Sequence, residues 1–116
     1  SCIAARWLQK KRHSLLTPLE KHRRAFLQQL RRTHPGPRRT ERGPRRALLA
    51  GQLCEFYEHF QLFVRERSTY YVCPNLVKPL TSGDRVSYAE LVGPSRVMWF
   101  VSHYWGTCFR HFVHTV

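Results

Sequence analysis

No apolar run in this chain approaches the roughly 20 residues that a membrane-spanning helix needs, so no transmembrane segment is expected. The opening Ser1-Cys2-Ile3-Ala4-Ala5-Arg6-Trp7 is not expected to be a secretory signal peptide, because it is short and turns basic too soon. There is no initiator Met, and both ends are expected to be cut from something longer. The four cysteines, Cys2, Cys54, Cys73 and Cys108, include no CxxC pair. With ample aliphatic and aromatic content beside them, they exclude a disulfide scaffold and point to free thiols in an intracellular, cytoplasmic setting. Acid is scarce: seven Asp and Glu stand against 20 Lys and Arg, a formal net charge of +13. Residues 1–46 carry nearly all of the excess, with Glu20 and Glu41 as their only acids. Such a block attracts polyanions, whether nucleic acid, acidic protein or an anionic surface.

What is present divides the chain into three parts. Residues 1–33 read as a basic helical segment. Thr17-Pro18-Leu19-Glu20 has a side-chain cap, a proline for the first helical position and the acid of a capping box. A helix to about Arg32 follows, with Leu19, Phe26 and Leu30 on one stripe, Leu27 beside it, and basic residues elsewhere. Residues 34–46 hold no apolar side chain beyond prolines, and read as a disordered Arg/Pro/Gly linker. Within it Arg38, Arg39, Arg42, Arg45 and Arg46 are candidate polyanion-binding residues. Aromatics are absent from this run and no nucleic-acid motif is recognised, which favours weak, sequence-blind attraction over base readout.

The third part, residues 47–116, opens with an amphipathic helix over 47–67. Leu49, Leu53, Phe56, Phe60 and Phe63 recur at the spacing of a helix packed on a partner, and this helix is a candidate protein-binding face. Thr69-Tyr70-Tyr71-Val72-Cys73 is β-prone up to Pro74, and the residues before Pro79 are expected to be extended. Ser87-Tyr88-Ala89-Glu90 is a second capping box, for a short helix that Gly93-Pro94 ends. Val97 to Val101 reads as a buried strand, followed by Ser102-His103-Tyr104-Trp105-Gly106-Thr107 and a helix that Thr107 caps. The expected fold is therefore an α/β fragment: a mainly helical N-terminal part, then the first strand, loop and helix of a parallel sheet. Ligands in such sheets sit where strands end, which makes Ser102, His103, Trp105, Gly106 and Thr107 candidate ligand-binding residues.

Metal and covalent chemistry find less support. Cys108 and His111 share a helix face, but His114 points elsewhere and no second pair has ligand spacing, so no metal is expected. A Cys108/His103 nucleophile pair lacks an orienting third group. No catalytic residue is assigned.

Val77-Lys78-Pro79, Ser87-Tyr88-x-Glu90-Leu91-Val92, the run Phe100-Val101-Ser102-His103-Tyr104-Trp105-Gly106, and Phe109-Arg110-x-Phe112-Val113 occur here in that order. Together they resemble an uncharacterised family of "FVSHxWG" modules in large proteins of unicellular eukaryotes, over roughly Tyr70 to Val116. That family in turn looks like a distant relative of the Toll/interleukin-receptor (TIR) domain. The resemblance implies a signalling or scaffold module with a nucleotide or anion site at the SHxWG loop in the full-length parent. It also implies a catalytic glutamate on a later helix, in a Trp-Cys-x-x-Glu-like segment that does not occur in this sequence. The fragment is thus expected to be catalytically silent and to carry no cofactor of its own. The alternative is a basic module that binds RNA, DNA or other polyanions electrostatically.

Overall fold

The computed structural model describes Ala4, Arg6, residues 15–99 and residues 101–116. Helix α1 (Pro18–Thr33) begins as its sequence dictates: Thr17 is extended, and its hydroxyl accepts from the Glu20 amide at 3.2 Å. Pro18 takes the first turn, where its missing N–H costs nothing. Arg31 and Arg32 lie in the last turn, where cations oppose the helix dipole. Thr17→Ala is expected to lower stability by about 1 kcal/mol, read as a reduced urea midpoint at unchanged slope.

Helix α2 (Ala50–Val64) is the centre of the molecule. Its Phe56, Phe60 and Val64 are buried, and Leu53, Tyr57 and Phe63 pack beside them. Phe26 of α1 meets Phe60 with ring centroids 5.2 Å apart, and Phe56 packs on Tyr88 and Phe109 at 5.3 and 5.9 Å. Gln52 fastens the helix start twice over. Its carbonyl accepts from the Leu49 amide at 2.9 Å, and its amide donates to the Val92 and Gly93 carbonyls at 3.0 and 3.2 Å.

After Arg65, which has a left-handed φ of 50°, the chain enters a continuous helical run. This comprises α3 (Thr69–Val72), a π-helical stretch (Cys73–Val77) and α4 (Lys78–Thr81). The expected extended segments from Thr69 to Lys78 are therefore helical. Val72, Leu76 and Leu80, four apart, lie on the core face, and burying that stripe outweighs the β-propensity of its neighbours. Pro79 is accommodated by a donor from outside the run. Pro79 has no N–H for the Asn75 carbonyl four residues earlier, and Arg23 of α1 donates to that oxygen at 2.9 Å. The Asn75 side chain donates to the Tyr71 carbonyl at 2.9 Å, and the wider π turn carries Lys78 N–H to the Cys73 carbonyl.

Helix α5 (Tyr88–Val92) has the expected capping box: Ser87 Oγ accepts from the Glu90 amide at 3.3 Å, and Glu90 Oε1 accepts from the Ser87 amide at 3.0 Å. Gly93 ends it at φ 103°, a conformation that L side chains resist. Helix α6 (Phe109–Thr115) lays Phe109 and Val113 into the core against α2.

The α/β expectation is overturned. Among the described residues there is no strand and no sheet, only isolated bridges between Ala47 and Ser95 and between Ser68 and Cys108. The segment expected as a buried strand runs through solvent: Met98 and Trp99 are 86% and 84% exposed, and Val101 is about half exposed. Phe100 lies outside the described residues. A strand needs a partner ladder and a face to cover. Here the helices fill the core, and among the described residues the nearest pairing is a single bridge at Ser95.

Candidate functional site

The SHxWG loop has become a strap across the start of α3. His103 stacks on Phe112 with centroids 3.8 Å apart, and its Nε2 pairs with Thr69 Oγ1 at 3.1 Å. Trp105 stands edge-on to Tyr70 at 5.7 Å and is partly exposed. Gly106 permits a close approach, but by a neighbour in the chain: a Cβ there would clash with the Tyr104 ring. Ser102 and Thr107 are exposed, and Cys108, not Thr107, is the residue that caps α6. The Phe109 amide donates to the Arg67 carbonyl at 2.9 Å, while Arg110 and Glu66 form an ion pair at 2.9 Å. The five candidates thus share one loop, but the strand end that would present them to a ligand is absent. The Cys108 thiol lies 3.8 Å from Glu66 Oε2, while His103 Nε2 is taken up by the Thr69 hydroxyl.

The basic run has more structure than its composition suggests. Glu90, buried at 5% exposure, reaches out of its own capping box to hold it. Its Oε2 accepts from the Thr40 amide at 2.8 Å, its backbone carbonyl accepts from the Arg38 amide at 3.1 Å, and Arg46 lies 3.6 Å from the carboxylate. Arg46 also donates to the Thr40 carbonyl. The Ser87 amide first, then the Thr40 amide, the Ser87 hydroxyl and the Arg46 charge hold the Glu90 carboxyl down to about 2, despite the opposing effect of burial. Beyond Arg46 the chain is stitched to residues 95–97. Ala47 and Ser95 exchange two backbone hydrogen bonds of 3.0 Å, and the Val97 amide donates to the Pro44 carbonyl at 2.6 Å.

These ties build an open polar cleft of about 600 Å³. Arg38, Arg39 and Arg45 line it from one side and Arg96 from the other, with Glu41 as the acid in its wall. Arg39 donates to the Asp84 carbonyl at 3.4 Å. Among the described residues, no hydrogen bond or ion pair engages the guanidinium groups of Arg38, Arg45 and Arg96. Of the five arginines singled out by composition, three therefore meet in the cleft. Arg46 is committed to Glu90 and Thr40, and Arg42 sits on an exposed bend outside the cleft lining.

Two contributors escaped the sequence reading. Arg96 lies outside the basic block, and nothing local marks it. Glu90 was legible as a cap, but its hold on residues 38–46 spans some 50 positions. A second polar feature, the Tyr88 hydroxyl, is buried without a hydrogen-bond partner among the described residues. Burial, with the Glu55 charge adding to it, pushes its proton affinity up.

Among the described residues, no group of three His, Cys, Asp or Glu is placed to hold a metal ion, and no helix is long and apolar enough to cross a membrane. No family model, no curated protein and no solved structure matches this chain.

Proposed function

We propose that this chain is a binding module for polyanions, and that the arginine cleft is its binding site. The observation that carries this reading is the convergence of Arg38, Arg39, Arg45 and Arg96 on one cleft, with three guanidinium groups uncommitted. Guanidinium groups match phosphate geometry as paired donors, and a prefastened strap spares part of the ordering cost of binding. The module binds and does not catalyse. Free thiols at Cys54, Cys73 and Cys108 suit a reducing, cytoplasmic setting.

The test is fluorescence anisotropy with a single-stranded RNA oligonucleotide and with heparin, across a salt series. Replacing the four cleft arginines by alanine is expected to weaken binding by roughly tenfold or more, and to reduce the salt slope by about 3 on RNA. A control variant loses as many charges elsewhere, at the exposed Lys21, Arg24, Arg32 and Lys78. It should lose much less. Equal losses in the two variants would show that net charge acts alone and that the cleft is no site.

A further inference from the structure

Resting on that reading, we infer that the polyanion is the anionic face of a lipid bilayer, with Met98 and Trp99 inserted among its headgroups. The basic cleft has an apolar neighbour. An open groove of about 580 Å³ lies between residues 47–50 and residues 96–99 with Val101, and Arg96 lines both it and the cleft. Met98, Trp99, Leu49 and Val101 all line the groove and are exposed. A contiguous apolar surface of this kind, carried by a strongly charged chain, marks an interaction site. The backbone bonds that position the arginines also hold this apolar tongue, through Ala47–Ser95 and Val97–Pro44. Charge and apolar surface are thus offered side by side from one fastened unit.

Three occupants compete, and chemistry separates them. A nucleic acid satisfies the arginines but finds a single stacking face in the tongue, Trp99, and leaves Met98, Val101 and Leu49 in water. A second copy of the chain covers the tongue but brings another +13 of like charge against the first. An anionic bilayer satisfies both halves together: phosphates and carboxylates face the arginines, and the headgroup–acyl boundary takes the Trp and Met side chains. Trp is favoured at that depth because its ring is apolar and its N–H is not.

The experiment is sedimentation of the full chain with phosphatidylcholine vesicles, with and without phosphatidylserine. Sedimentation is expected only when phosphatidylserine is present, and it should fall as salt is raised. The double variant Met98→Gln/Trp99→Gln should bind those vesicles about tenfold more weakly, with unchanged RNA affinity. Both side chains are solvent-exposed, so its helical circular dichroism should match the parent. Independently, acyl-brominated lipid should quench tryptophan fluorescence in the parent, and the portion lost in Trp99→Phe reports Trp99 itself. Vesicle binding that ignores the double variant, or quenching that Trp99→Phe leaves whole, overturns insertion. RNA binding without vesicle binding overturns the lipid inference and leaves the polyanion reading standing. Vesicle binding that survives loss of the cleft arginines overturns the polyanion reading, and binding to neither partner overturns both.

Discussion

Phe60→Ala is expected to destabilise the chain by about 3–5 kcal/mol, the range for removing a large buried aromatic. Phe60 is fully buried, with Phe26, Phe56 and His59 packed around it at 5.2, 5.1 and 4.9 Å between centroids. It sits where α1 meets the central helix, and Phe26 cannot move into the space without shifting α1. Domains of this size are stable by about 5–15 kcal/mol, so the substitution removes a large fraction of the total. Urea denaturation followed by far-ultraviolet circular dichroism measures it directly. Leu62→Ala on the same helix is the control, because Leu62 is 70% exposed and should shift stability by no more than about 0.5 kcal/mol. Similar losses at the two positions would mean that α2 does not present this face to the core.

The helices that carry this core differ in how openly the sequence declares them. α1 and α2 were legible because their signals are local: the Thr17 cap, Pro18, and apolar side chains at three- and four-residue steps. The Ser87 box was legible for the same reason. The run Thr69–Thr81 was not, because β-prone residues and two prolines speak against a helix at short range. What favours the helix is distant, namely Arg23 donating to the Asn75 carbonyl and a buried stripe of Val72, Leu76 and Leu80. The Val97–Val101 segment failed for a different reason. A short apolar run carries no record of whether it will be covered, and here the core was already closed by α1, α2 and α6. The candidate sites divide along the same line. Arg38, Arg39 and Arg45 were visible as charge, but their convergence with Arg96 depends on a backbone bridge across 48 positions, from Ala47 to Ser95. His103 and Trp105 were visible as an unusual motif, but their packing on Thr69 and Tyr70 was not.

Glu90→Gln is expected to weaken polyanion binding although it raises the net charge by one. If bulk charge governed affinity, removing a carboxylate would tighten binding, so the sign of the change decides between two pictures. In the parent, the two carboxylate oxygens accept from the Ser87 amide, the Ser87 hydroxyl and the Thr40 amide, and face Arg46. Glutamine leaves one carbonyl oxygen for those donors and turns an NH2 group toward another donor. The strap over residues 38–46 should loosen, and exchange of the Thr40 amide should quicken toward that of an open loop. The acid limb of the stability profile gives a second reading. In the folded chain this carboxyl titrates near 2, below its ordinary 4.5, so its contribution is full above about 4.5 and vanishes as pH falls through about 2. The variant lacks that contribution at every pH. Its urea midpoint should therefore lie below the parent's at neutral pH and converge on it in strong acid. Tighter binding, with Thr40 exchange unchanged and parallel profiles, would mean that Glu90 only caps its own helix.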